Sequence, residues 1–369
     1  MTTSTSNYYI GIMSGTSLDA IDVALVSIQD NRTQFISAIE VPFDERVREQ
    51  LLALCADGHT HLKALGQLTV KLSLAYADGV NQLLNKFQLS ANDIVAIGCH
   101  GQTVYHCPEG EYPFSMQLLN ASVLTAKTGI TTVSDFRSMD IALGGQGAPL
   151  VPPFHQSLLN GINDAVFLNI GGIANVSILN KSELTGFDTG PGNVLIDGWM
   201  QQQFSLKYDE NGALAKQGSV IAPLLKDMLN DHYFNKQGVK STGREYFNVQ
   251  WLSTYLDKHS QQYDNKDILA TLVALTAHSI AGALQQVNNA NVYMCGGGTK
   301  NSYLVEQISK LLPQCEVSTT QAINVDPDYV EAMAFAWLAY RCITQQTAND
   351  TTVTGASKLA VLGQITQKS

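Results

Sequence analysis

The sequence predicts an α/β protein of two lobes, each a mixed sheet flanked by helices, and three observations predict it. A chain of 369 residues with 45% hydrophobic composition carries more apolar material than one core holds, because single cores stop growing at about 250 to 300 residues. Strand-like apolar runs alternate with stretches of helical periodicity along the chain. A strand, a small-residue turn and a returning strand also occur twice, at Tyr8 to Ile28 and at Val166 to Ile178, which points to an internal duplication with one copy per lobe.

Tyr8-Tyr9-Ile10-Gly11-Ile12 reads as a buried strand, Met13 to Ser17 as a tight turn and Ala20 to Ile28 as the return. From His61 to Phe87 apolar residues recur at three and four (Leu65, Leu68, Leu72, Tyr76, Val80, Leu83), the stripe of a long amphipathic helix. Ile94 to Ile97 returns as a strand and delivers Cys99-His100-Gly101-Gln102-Thr103 to its end. Asn120 caps a short helix that stops at Gly129, and Ile130 to Val133 is a strand ending at Asp135-Phe136-Arg137. The run Gly144-Gly145-Gln146-Gly147-Ala148-Pro149 breaks all periodicity. The lobe boundary is placed just before it, giving an N-terminal lobe of 1–140 and a C-terminal lobe of 141–344, with a tail of about 345–369 packing back on the first.

In the second lobe Val166-Phe167-Leu168 opens the repeat unit, with Gly171-Gly172 at its turn and Val176-Ser177-Ile178 returning. Ile268 to Val287 is a long apolar helix in which His278 is expected to lie in the core. Val292 to Met294 is a short strand, and Gly296-Gly297-Gly298-Thr299-Lys300-Asn301 turns into a helix from Leu304 to Leu312. Asp328 is expected to cap a last helix carrying Glu331, Ala332, Phe335 and Leu338.

With 22 Lys and Arg against 32 Asp and Glu, the net charge is -10. That opposes a nucleic-acid partner, whose phosphates are met by clustered cations. The first nine residues lack the basic flank of a secretory signal and no apolar run is long enough to span a bilayer, so a cytoplasmic protein without a membrane partner is expected. Six cysteines are scattered without a CxxC pair. Cys99, His100, His106 and Cys107 bracket one loop, but their spacing matches no zinc pattern, and no protein metal site is assigned.

Glycine turns let main-chain N–H groups approach an anion without a Cβ in the way, and phosphate is the commonest such anion. Taken singly, Gly15-Thr16-Ser17 is more often a plain hairpin and Gly296-Gly297-Gly298 is as often a plain helix entry. Their order carries the weight: a turn near the start, a second opening the other half and a glycine run before a late helix match the ATP site of the superfamily of sugar kinases, actin and chaperone ATPases. Its actin-like fold clasps phosphates between turns of two lobes across an interlobe cleft and lays the late glycine run along the adenosine. No GxxxxGK[ST] or GxGxxG element follows a strand.

More finely, the motifs resemble those of the anhydro-N-acetylmuramic acid kinases of bacterial cell-wall (peptidoglycan) recycling. The likeness runs through Ile10 to Asp19 (IGIMSGTSLD), Gly98 to Thr103 (GCHGQT), Asp135-Phe136-Arg137, Gly144 to Pro152 (GGQGAPLVP), Asn169 to Asn175 (NIGGIAN), Phe187 to Asn193 (FDTGPGN) and Cys295 to Gly298 (CGGG). It covers nearly the whole chain. The resemblance implies ATP-dependent phosphorylation of 1,6-anhydro-N-acetylmuramic acid at O6, with hydrolytic opening of the anhydro ring to N-acetylmuramic acid 6-phosphate and ADP.

It further implies that ATP meets Gly15, Thr16, Ser17, Leu18, Asp19, Ala20, Ile21 and Asp22 at the first turn, Gly171 and Gly172 at the second, and Gly296, Gly297 and Gly298 at the third. Where many superfamily relatives carry Asp in each phosphate element, this chain has Met13 and Asn169. Mg²⁺ is therefore expected to lean on ATP phosphates and water, with Asp19 or Asp22 as an outer-shell carboxylate.

Opening an internal acetal needs water at C1 while O6 takes the γ-phosphoryl group, so one carboxylate base suffices. Asp188, beside Thr189-Gly190-Pro191-Gly192, is the candidate; an Asx-turn or helix-capping role is the alternative. Glu331 resembles a family position facing substrate or water, or serves its helix dipole. Arg137 either holds the lactyl carboxylate with its planar fork or pins the hinge through a structural carboxylate. His100 either contacts the sugar or is simply hydrogen-bonded. The expected partner is a small sugar, and a homodimer is left open. Competing readings are a kinase of another amino sugar, an anhydro-sugar hydrolase without ATP, and a nucleotide-switched ATPase of the same fold.

Overall fold

A computed structural model describes residues 7–369 apart from 16–17, 19, 160–163, 181–182, 237–239, 245 and 260–261. In chain order the first elements are β1 (Tyr8–Met13), β2 (Ala20–Gln29), β3 (Arg32–Pro42), α1 (Glu45–Asp57), α2 (Leu62–Phe87), β4 (Ile94–Cys99), β5 (Gln102–Cys107), β6 (Phe114–Leu118), α3 (Ala121–Thr128), β7 (Thr132–Ser134), α4 (Ser138–Ala142) and α5 (Pro152–Leu158). There follow β8 (Asp164–Ile170), β9 (Ile173–Asn180), β10 (Glu183–Pro191), α6 (Val194–Phe204), α7 (Ala222–Leu229), α8 (Val249–Leu256), α9 (Asn265–Ala283), β11 (Asn291–Cys295), α10 (Ser302–Leu311) and β12 (Glu316–Thr319). The chain ends with α11 (Val330–Ile343), α12 (Thr351–Thr354) and β13 (Gln364–Thr366).

Two compact units result, one of Met1–Asn160 with Tyr329–Ser369 and one of Gly161–Asp328. The glycine run at 144–147 falls inside the first unit. There Asp140, fully buried on α4, accepts from the Gly147 amide at 2.8 Å, from Asn349 Nδ2 at 2.9 Å and from Thr354 Oγ1 at 2.8 Å. One carboxylate thus ties the run to the C-terminal segment, and a Cβ on Gly145 would overlap that carboxylate.

The first unit holds a six-stranded sheet in the order β13-β7-β4-β1-β2-β3. β1 is parallel to β4 and antiparallel to β2, and β13 pairs antiparallel with β7. Side chains alternate across β1 and β4 as a pleated strand requires. Ile10, Ile12 and Ile97 join one apolar cluster with Leu51 of α1, with Leu72, Tyr76, Val80 and Leu83 of α2, and with Leu124 of α3. The opposite face carries Gly11 and Gly98, directly against the backbone of α11. The caps of α3 are those its sequence implies: Asn120 accepts from the Val123 amide at 3.1 Å and Gly129 closes the helix at φ 69°.

In the second unit the sheet order is β10-β9-β8-β11-β12, with β8 parallel to β11, β11 parallel to β12, and β9 antiparallel to β8. Both sheets therefore share one pattern, third-second-first-fourth-fifth strand with the second reversed, once the β5-β6 hairpin is set aside as an insertion. That shared order is the duplication the two strand-turn-strand units announced, in the mixed-sheet arrangement of the actin-like fold.

Two expectations are corrected. His278 is exposed, at the single exposed position of a run buried from Ile268 to Ile280, so its imidazole faces water instead of a core without partners. Asp328 does not cap α11, whose N-cap is Tyr329 without a side-chain bond; its carboxylate pairs with Lys300 Nζ at 2.8 Å.

Candidate active site

The β1-β2 hairpin is held from beneath. Ser14 Oγ donates to Gln102 Oε1 at 2.8 Å and shares a 2.8 Å hydrogen bond with the buried Tyr76 hydroxyl. Leu18 adopts φ 55°, donates its amide to the Gly15 carbonyl at 3.2 Å, and its own carbonyl accepts from Arg48 Nε at 2.9 Å. The side chains of Leu18 and Ile21 are core residues, so what they can offer a ligand is main chain. Ala20 and Asp22 are half-buried at the start of β2, with Asp22 opposite Met13 in the ladder. Thr16, Ser17 and Asp19 lie outside the described residues.

The β8-β9 turn is fixed through its carbonyls. Gly171 accepts from the Asn193 amide at 2.8 Å, and Gly172 accepts from Gly192 at 2.9 Å and Val194 at 3.0 Å, which seats the turn on the entry to α6. At the third turn the glycines divide. A Cβ on Gly296 would overlap Asn169 and one on Gly298 would overlap Ile170, so these two are needed for close packing on β8. Gly297 has open space where its Cβ would be.

Asp188 sits on β10 beside a register shift in the β9-β10 ladder, which re-aims the strand. Its amide donates to the Lys240 carbonyl at 2.9 Å, its carbonyl accepts from the Tyr233 hydroxyl at 2.8 Å, and its Oδ2 accepts from the Thr242 amide at 2.9 Å. Tyr233 is in turn steadied by an aromatic cluster around Asp231. That carboxylate accepts from Tyr246 at 2.6 Å, Tyr255 at 2.8 Å and Trp251 at 3.0 Å. These hydrogen bonds outweigh burial and hold Asp231 below the usual carboxylate range.

In the first unit, His100, Arg137 and Glu331 come together. His100 follows β4, Arg137 follows β7, and Glu331 is in the first turn of α11. Arg137 donates from Nε at 3.2 Å and from a terminal nitrogen at 2.9 Å to His100 Nε2, and its other terminal nitrogen donates to the Gly147 carbonyl at 2.6 Å. An imidazole nitrogen that accepts is unprotonated, so the His100 proton sits on Nδ1. Burial, followed by the Arg137 charge, drives His100 well below its ordinary pKa and keeps it neutral. Burial raises Glu331 while Arg137 lowers it. The guanidinium, lowered by burial to about 10 and supported by the charges of Glu331 and Asp140, remains a cation.

A family model for anhydro-N-acetylmuramic acid kinase matches residues 7–368. The chain belongs to the anhydro-N-acetylmuramic acid kinase family. An anhydro-N-acetylmuramic acid kinase of Pasteurella multocida is 48% identical over 366 residues, 98% of this chain and 97% of that protein. One of Aliivibrio fischeri is 44% identical over 362 residues, 97% of this chain and 98% of that protein. A solved activator of 2-hydroxyisocaproyl-CoA dehydratase from Clostridium difficile is similar at TM-score 0.46 and 13% identity, over 92% of this chain and 96% of that one. Membership of the family makes the protein a kinase. Among the described residues no helix is long and apolar enough to cross a membrane, and no three His, Cys, Asp or Glu side chains converge as a metal site.

Sequence reasoning missed Asp140, Tyr233, Thr242 and Arg244. Each works across the fold: Thr242 reaches Asp188 through its amide, which no side-chain pattern reveals. Arg244 lies against the Gly171-Gly172 turn from more than seventy residues away in sequence. The Thr-Gly-Arg run at 242–244 was the available signal, a glycine beside a cation, and by itself it is only a turn.

Proposed function

We propose that the protein uses MgATP to phosphorylate 1,6-anhydro-N-acetylmuramic acid at O6 while water opens the anhydro ring, yielding N-acetylmuramic acid 6-phosphate and ADP for cell-wall recycling in the cytoplasm. The observation that carries this reading is Asp188, a carboxylate fixed through its amide, its carbonyl and one carboxylate oxygen at a bulge in β10. A base held so firmly suits one proton abstraction in one direction.

The water oxygen bonds to C1 as the C1–O6 bond breaks; O6 bonds to the γ-phosphorus as its bond to the β-phosphate oxygen breaks. The proton leaving water goes to Asp188. Phosphoryl transfer takes the place of the acid that a glycosidase needs for its leaving oxygen. Mg²⁺ enters with the nucleotide as part of the substrate. With Met13 and Asn169 near the ends of β1 and β8, the carboxylates that would reach it through water are Asp19 or Asp22. His100 and Arg137 bind the sugar, with the guanidinium fork suited to its lactyl carboxylate.

Reaction in H₂¹⁸O tests this coupling. Label should enter the anomeric oxygen and be absent from the phosphate ester bridge, with early product compared against unlabelled product held in the same water. Label in free phosphate, with ADP released in the absence of sugar, would identify a switch ATPase instead.

A further inference from the structure

Arg244 is an exposed cation whose carbonyl accepts from Asn248 Nδ2 at 3.1 Å but whose guanidinium has no hydrogen bond or ion pair to any described residue, in a chain where carboxylates outnumber Lys and Arg by 32 to 22. Its place accounts for a guanidinium without a partner among the described residues. A Cβ built on Gly172 would lie 3.6 Å from one terminal nitrogen of Arg244 and 3.7 Å from its Nε, so the fork flanks the second glycine turn. The next atom near that Cβ position among the described residues is Val194 Cβ at 4.0 Å. Lys240, the other cation of this segment, is committed: its Nζ donates to the Tyr233 carbonyl at 3.2 Å and lies 4.8 Å from that ring.

We infer that Arg244 is a catalytic residue whose guanidinium binds the γ-phosphoryl group of ATP at the Gly171-Gly172 turn and balances its charge during transfer. This rests on the reading that nucleotide phosphates lie at that turn. The γ-position follows from the chain itself. Thr242, whose amide holds Asp188 Oδ2 at 2.9 Å, is two residues away, and two residues of backbone span at most about 7 Å. A cation tethered so closely to the base's anchor serves the phosphoryl group that meets the same sugar, where charge spreads over the equatorial oxygens and a planar fork is most effective. Arg244 forms no covalent bond in the transfer.

Three variants test it: Arg244→Ala, Arg244→Lys and Gly172→Ala. The last adds a methyl group at ordinary contact distance, so the fold tolerates it. Arg244→Ala should unfold at the same temperature as the native protein and lose about 10²- to 10³-fold in kcat, the usual cost of one transition-state donor. It should weaken the β,γ-imido analogue of ATP about tenfold while leaving ADP affinity within about twofold, because only the former carries the third phosphate. Arg244→Lys should recover part of kcat. Equal weakening of both nucleotides, or an unchanged kcat, overturns the role of Arg244. If Gly172→Ala leaves both affinities unchanged, the reading of the turn as a phosphate site falls too; if it weakens both while Arg244→Ala does nothing, only the role of Arg244 falls.

Discussion

Gly11 and Gly98 are Cα partners in the parallel ladder of β1 and β4, and both lie against the backbone of α11, Gly11 at Ala332 and Gly98 at Phe335. Two missing Cβ atoms let a helix rest on a sheet at backbone distance. The same contact fixes the first turn of α11, and with it Glu331, beside the strand end that carries His100. The His100 and Phe335 rings lie 4.7 Å apart between centroids.

Gly11→Ala and Gly98→Ala should therefore be among the most damaging single-methyl additions in this chain. At each site the new Cβ would overlap a main-chain carbonyl oxygen, which cannot rotate aside as a side chain can. Overpacking costs about 1 to 3 kcal/mol where side chains yield, and a loss of at least about 3 kcal/mol is expected here. Urea unfolding measures it; a variant within about 1 kcal/mol of the native protein would show that α11 shifts freely.

Much of the fold was legible because its signals are local. The continuous apolar run at Tyr8 to Ile12, the stripe on α2 and the Asn120 and Gly129 caps each act within a few residues. The readings that needed correction depended on surroundings. His278 lies in a helix apolar on nearly every side, so periodicity could not single it out as an exposed position within the buried run, and Asp328 had the residue type of a cap while its partner, Lys300, lay elsewhere in the fold. In the candidate site, motif order marked the glycine turns, His100, Arg137 and Asp188. The residues that hold them, among them Asp140 and Tyr233, join segments far apart in sequence and carry no local pattern.

Asp140→Asn should loosen the glycine run and, through it, Arg137. An amide NH₂ cannot accept, so one of the donors now served by the carboxylate, the Gly147 amide, Asn349 or Thr354, is left facing another donor. A buried donor left unsatisfied costs about 1 to 3 kcal/mol. The Gly147 carbonyl is also an acceptor for Arg137, so KM for the anhydro sugar should rise several-fold more than KM for ATP. Equal changes in both would separate Arg137 from sugar binding.

Acid should destabilise the fold before its carboxylates titrate. Burial pushes His155 down to about 3 and holds His100 well below the usual histidine value. Between about pH 6.5 and those folded values the unfolded chain takes up protons that the folded chain refuses, so stability is full above 6.5 and falls as pH drops. At pH 5 the His155 contribution to that loss is about 2 kcal/mol. Urea unfolding at pH 7.5 and 5.0 should show the decline, and His155→Gln should shrink it by about that amount. An equal slope in the variant would mean that His155 titrates normally.

Asp188→Asn isolates proton transfer from architecture. The amide oxygen of Asn can still accept from the Thr242 amide, and the two main-chain hydrogen bonds to Lys240 and Tyr233 do not involve the side chain, so the β10 bulge should survive. On the proposed mechanism, what is lost is the capacity to take a proton from water. Removing a general base costs about 10² to 10⁴ in rate, or roughly 3 to 5 kcal/mol of barrier. We expect kcat to fall by that factor with Kd for ATP and the unfolding temperature unchanged. If the variant lost nucleotide binding as well, Asp188 would be a structural anchor of the β9-β10 region; if it kept near-native kcat, the base would have to be sought elsewhere, with Glu331 the first residue to examine because burial already raises its pKa toward the range of a working base.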